Sequence, residues 1–154
     1  MEKEIKEFGS SIKKSLSACT ENLILKLKEF DSMNFHPEIK RIDCEVFQGN
    51  TTITIRAFLM DDDMNEVFNS NNQNFVDGSI EIVEDIAFCP SYEKLDWMYE
   101  NHGEETDRTY IDTVVNWFSE CLDKSSLSLS LPLYIQRHDS GWTFDLQSKQ
   151  WIKY

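Results

Sequence analysis

The sequence is poor in the residues from which most catalytic machinery is built. It has five glycines and three histidines in 154 residues. No glycine-rich phosphate cradle, no G-x-S-x-G elbow and no H-E-x-x-H pair occurs. His102-Gly103-Glu104 carries the H-x-E fragment of zinc deaminases, but no Pro-Cys-x-x-Cys follows to supply the thiolates. Asp61, Asp63 and Asn65 match the first positions of a calcium loop, yet Glu66 stands where the sharp turn needs glycine and Asn72 where a bidentate glutamate is needed. No metal and no cofactor is therefore expected, and 61–65 reads as a hairpin turn. Cys19, Cys44, Cys89 and Cys121 lie far apart without a C-x-x-C pair, as small buried hydrophobes do in a reducing compartment.

Long apolar runs are also missing. No stretch approaches the ~20 apolar residues that cross a bilayer, and the charged start Met1-Glu2-Lys3-Glu4-Ile5-Lys6 lacks the apolar centre of a signal peptide. A cytoplasmic protein away from membranes is expected. Positive charge is scarce as well: 15 Lys and Arg stand against 28 Asp and Glu, for a net charge of -13. Such a chain repels a phosphate backbone, which disfavours nucleic-acid binding.

The negative charge is concentrated. Residues 41–124 hold 19 of the 28 carboxylates and 5 of the 15 cations, a local net charge of -14. With 40% apolar and 12% aromatic residues the chain is too hydrophobic for a disordered acidic tail. One folded domain over 1–154 is expected, since no repeat or linker divides it.

Ile5, Phe8, Ile12, Leu16, Cys19, Leu23, Leu27 and Phe30 recur at spacings of three and four, which predicts one long N-terminal helix ended by His36-Pro37. Gly9 weakens its first turn, and Ser10 or Ser11 could cap the remainder. The stripe should pack on the chain's own sheet. As an alternative it would form a coiled-coil seam between two copies. A second helix is predicted near 109–123, with Thr109 as N-cap and Ile111, Val114, Val115, Phe118, Cys121 and Leu122 inward.

Between the helices the period changes to two. Ile42, Cys44 and Val46 alternate with Arg41, Asp43 and Glu45, and residues 51–60 are rich in β-branched residues beyond a Gly49-Asn50 turn, so the pair reads as a hairpin. Further strands are expected over 79–83, 131–135 and 142–146. Pro132 places the 131–135 strand at an edge of the sheet or lies at that strand's own start. The resulting fold class is α+β, an antiparallel sheet packed by the long N-terminal helix and the helix near 109–123.

Tyr92 to Glu100 sharpens the acidic surface. Helical geometry groups Tyr92, Leu95, Met98 and Tyr99 on one side, and Glu93, Asp96, Trp97 and Glu100 on the other. A tryptophan ringed by carboxylates suits an interface anchor, while a helix packed on two sides would make Trp97 core. Glu104, Glu105 and Asp107 extend the surface and Glu84-Asp85 precede it. These residues, Glu84, Asp85, Glu93, Asp96, Trp97, Glu100, Glu104 and Glu105, form the candidate partner-binding set.

The acidic α/β character, with Trp117-Phe118-Ser119-Glu120-Cys121, Pro132-Leu133-Tyr134-Ile135, His138-Asp139, Phe144-Asp145-Leu146 and Trp151 closing the chain, resembles bacterial immunity proteins of polymorphic toxin and contact-dependent inhibition systems. The resemblance implies a non-catalytic inhibitor that binds a basic partner such as a nuclease toxin domain. Two other readings stand beside it: a small cytosolic enzyme using His138, Asp139 and a cysteine, and a homodimeric scaffold joined through the first helix.

Overall fold

The computed structural model describes residues 2–49, 51–68, 75–89 and 91–154. The chain forms α1 (Glu2–Ser17) and α2 (Thr20–Glu29), a short 3-10 turn (Phe30–Ser32), β1 (Arg41–Gln48), β2 (Thr52–Met60) and β3 (Ser79–Ala87). It continues through α3 (Tyr92–Ser125), β4 (Leu133–Arg137), β5 (Trp142–Asp145) and β6 (Gln150–Lys153). The six strands make one sheet in the order β3-β2-β1-β4-β5-β6. The fold is α+β, a mostly antiparallel sheet with helices packed against it. Among the described residues no helix is long and apolar enough to cross a membrane.

Every neighbouring strand pair is antiparallel except β1 and β4, which run parallel with Ile42 opposite Leu133 and Cys44 opposite Ile135. A parallel pair needs a long crossover, and α3 supplies it by carrying the chain from β3 back to β1. This pairing departs from the all-antiparallel expectation, because the partners are joined only through that distant helix. β4 consequently lies inside the sheet. Pro132 precedes its first residue, where the missing N–H costs nothing and its carbonyl accepts from the Ile42 N–H at 2.9 Å. The other addition is β6, whose short, exposed Gln-Trp-Ile-Lys run lacks a clear alternation of buried positions.

The first stripe is inward as predicted, but on two helices. The chain leaves helical geometry at Ala18 and Cys19, where Cys19 has φ -107° and ψ 4°, and resumes at Thr20. Thr20 Oγ1 then accepts from the Trp117 indole N–H at 3.0 Å, tying the break to α3. Gly9 causes no break. It lies within α1, where an added Cβ would sit 3.1 Å from Thr109 Cγ2, so glycine there lets α1 approach α3 closely. Helix propensity is lost to gain that approach.

Ile12, Leu16, Leu23 and Leu27 join Ile42, Cys44, Val46, Ile55, Ala57, Leu133 and Ile135 in one core with Tyr110, Val114, Val115 and Phe118 of α3. The stripe offered as a coiled-coil seam is thus consumed within the chain. Leu16 has no exposed surface, so Leu16→Asp should place an unpaired carboxylate in the core at a cost of several kcal/mol, comparable with the whole stability of a domain. Circular dichroism and sedimentation of that variant should report an unfolded chain. A folded variant whose only change is loss of a dimer would instead favour the intermolecular seam.

Gly9→Val should lower unfolding free energy by about 1–3 kcal/mol through overpacking against Thr109. Thr109→Ser removes the facing methyl and should recover part of that loss in a double-mutant cycle measured by urea denaturation. Additive effects would refute the close-approach explanation.

Candidate functional site

α3 starts at Ser91, whose hydroxyl accepts from the Lys94 N–H at 3.1 Å as an N-cap. The inward face begins one turn later, with Leu95 and Met98 buried. Tyr92, assigned to that face from spacing, is 56% exposed because it is the first helical residue and precedes the buried stripe. On the other side Glu93, Asp96 and Glu100 are exposed, and Trp97 is 46% exposed among them. Of the two readings of Trp97, the surface position is the one realised.

The helix does not begin near Thr109 as the periodicity suggested. It runs through from Tyr92 with a kink at His102, which has φ -143° and ψ 43°. Thr109 lies inside it, its carbonyl accepting from Thr113 Oγ1 at 2.6 Å. A kink frees backbone carbonyls, and side chains satisfy them here. Asn101 Nδ2 donates to the Trp97 carbonyl at 2.8 Å, and the buried Thr106 Oγ1 donates to that of Met98 at 3.1 Å. The His102 ring meets Trp97 edge-on at 5.6 Å between centroids. Glu104 and Glu105 follow the kink and are exposed. From Tyr92 through Asp107 Lys94 is the only lysine or arginine, against six carboxylates.

Glu84 and Asp85 lie on β3, an edge strand, and both are exposed. The nearby Glu81 carboxylate holds Glu84 above the usual carboxylate range. Asp85 has a structural duty. Its φ is 47°, and it sits where the β2–β3 ladder is irregular. Its N–H donates to Thr54 Oγ1 at 3.1 Å, while that hydroxyl lies 3.3 Å from Asp85 Oδ1. The partner-binding set is therefore divided: Glu93, Asp96, Trp97 and Glu100 share one helical segment, Glu104 and Glu105 lie past its kink, and Glu84 and Asp85 belong to the sheet.

Of the rival catalytic residues, His138 and Asp139 lie together on the surface, whereas Cys44, Cys89 and Cys121 are buried. His138 Nδ1 lies 3.6 Å from Glu45 Oε2 and its Nε2 3.3 Å from Asp139 Oδ2. Cys44 sits on the opposite face of β1, in the core, and burial pushes its thiol far above the ordinary range. Cys121 and Cys89 are buried too. In the turn after His138, Ser140 Oγ accepts from the Trp142 N–H at 3.1 Å. Asp61 closes the calcium-like loop on itself, its Oδ1 accepting from the N–H groups of Asp63 and Asn65 at 2.9 Å each. Asn50 and Asn72, invoked for the hairpin and for that loop, lie outside the described residues.

Sequence reasoning missed a polar junction between α3 and β4. Arg137 pairs with Asp107, and the Tyr99 hydroxyl donates to Gln48 Oε1 at 3.0 Å. Burial works against the Arg137 cation, but the hydrogen bond and charge of Asp107 outweigh it and hold its pKa above the ordinary value. Beside this junction a cavity of about 450 Å³ is bounded by Arg137, Ile111, Trp142 and Trp151. Nothing in residue spacing announces a cluster drawn from segments so far apart.

No protein-family model, no curated protein and no solved structure matches this chain.

Thr106→Val is nearly isosteric but leaves the buried Met98 carbonyl without the side chain that satisfies it. A loss of about 1–3 kcal/mol is expected in denaturant unfolding. The Trp97 surface should become more mobile in parallel, read as faster amide exchange over 97–102. Unchanged stability and exchange would show that the threonine does not hold the kink.

Proposed function

We propose that this protein is a non-catalytic inhibitor of the immunity-protein type, binding a basic partner such as a nuclease toxin domain through the acidic surface of α3. The observation that carries the reading is the exposed Trp97 set among Glu93, Asp96 and Glu100. A large half-exposed aromatic has apolar area to bury, and its carboxylate surround selects a cationic surface.

The same carboxylates burden the free protein. Glu93 and Asp96, and Asp96 and Glu100, stand three and four residues apart on the helix, where like charges cost about 0.2–0.5 kcal/mol per pair. A partner's lysines or arginines relieve that repulsion on binding. The stripe is thus unfavourable alone and favourable in complex. Both terms fit a nucleic-acid-binding partner, whose phosphate-contacting cations would be covered by the inhibitor.

Attraction and anchoring separate kinetically. Neutralising Glu93, Asp96 and Glu100 together should slow association with a cognate basic toxin domain. It should also flatten the salt dependence of the rate, because exposed charges are screened beyond about 8 Å at physiological ionic strength. Trp97→Ala should speed dissociation about 30-fold, equivalent to ~2 kcal/mol. Co-expression gives the cellular readout, survival of cells making the toxin domain. Absence of both binding and protection, with turnover of a small substrate lost in His138→Ala, would replace the inhibitor with an enzyme.

A further inference from the structure

The helices occupy one side of the sheet, and among the described residues none lies on the other. Alternation therefore turns Arg41, Asp43, Glu45 and Phe47 of β1 to this face together with Arg56, Phe58 and Met60 of β2, with Asp43 itself buried against Arg41. On this open face is a cavity of about 340 Å³, at the small end of ligand-binding volumes. Phe58, Met60 and Met64 give it apolar walls, and Asp43, Glu45 and Glu66 give it carboxylates.

The charges around it do not balance. Arg41 is committed to Asp43, at 2.7 Å between guanidinium and carboxylate, and lies 4.0 Å over the Tyr134 ring. Arg56 is committed to Glu81 at 3.1 Å. Among the described residues Glu45 meets Gln136, at 3.4 Å, and His138, at 3.6 Å. Glu66 has no ion pair among the described residues. Two carboxylates thus face an apolar-walled hollow without an ion pair to lysine or arginine among the described residues; Arg56 stands opposite Glu45 across the β1–β2 ladder but turns its guanidinium to Glu81. Lysine and arginine have the complementary form, an apolar stem ending in a cation. A second copy of this chain would bring the same carboxylates and another net charge of -13.

We propose that this open sheet face is a second docking surface, on which the cavity seats a lysine or arginine side chain of a basic protein partner between Glu45 and Glu66. It goes beyond the α3 surface, from which the sheet separates it, and rests on that reading only in taking the partner to be basic. The stem lies along Met60 and Phe58, and the cation reaches the two carboxylates. Asp43, held by Arg41, keeps the floor of the site in place.

The test is a titration of the full chain with a short polyarginine peptide amide at about 0.15 M salt, followed by amide chemical shifts. Saturable shifts should centre on Glu45, Glu66 and Gln136. Glu45→Gln with Glu66→Gln should weaken them about tenfold, while Glu93→Gln, Asp96→Asn and Glu100→Gln together leave these shifts in place. Shifts confined to α3, no saturation, or equal affinity for spermidine would overturn the proposal; the last would reduce the site to counter-ion attraction. Failure here with a toxin complex still sensitive to Trp97→Ala removes only the sheet site. Loss of binding to every basic protein removes the inhibitor reading as well.

Discussion

The register between β1 and β4 is the constraint on which the rest of the molecule depends. Two antiparallel blocks, β3-β2-β1 and β4-β5-β6, meet at this one parallel ladder. With Cys44 opposite Ile135, the apolar residues of both blocks face the same helices. A slip of one residue would turn Tyr134 and Gln136 toward the core and send Leu133 and Ile135 outward. That parity places Glu45 on the open face and Cys44 inside.

α3 links this constraint to the acidic surface. Its C-terminal part is core material, with Tyr110, Val114, Val115 and Phe118 closing over the sheet. Its N-terminal part buries only Leu95 and Met98 and carries the carboxylates outward. The His102 kink divides these two tasks, and the Asn101 and Thr106 side chains donate to the Trp97 and Met98 carbonyls before it. The Arg137–Asp107 pair then fixes the post-kink segment to β4. An exposed surface is thereby mounted on rigid structure, which limits the ordering a partner must impose.

The sequence made the periodic features plain. The stripe from Ile5 to Phe30, the alternation of Ile42, Cys44 and Val46, and the two-sided character of 92–100 are all local, and local spacing encodes them. The break before Thr20 has neither glycine nor proline to mark it and is tied to Trp117 nearly a hundred positions away. Thr109 looked like an N-cap because Asp112 follows three residues later, whereas it lies inside a helix that runs on from Tyr92. Parallel pairing of β1 with β4 and the cavity between Glu45 and Glu66 arise from non-local assembly. Alternation had set Asp43 and Glu45 on one face, but not what stood opposite. Spacing divided the two sides of 92–100 without saying whether the Trp97 side met solvent, since that depends on where the remaining elements lie.

The long detour between β1 and β4 bears on how the chain folds. Local hairpins close in microseconds, but a contact between Ile42 and Leu133 must wait until the intervening chain has been drawn together. Until then β1 presents an unpaired edge of alternating Ile, Cys and Val, the type of edge that recruits strands from other molecules. The opposite edge of the same block is shielded from the outset, because the bend at Asp85 spoils it as a template. The interior edge has no such guard, and its Asp43 and Glu45 provide the charge that keeps two nascent chains apart while the crossover is completed.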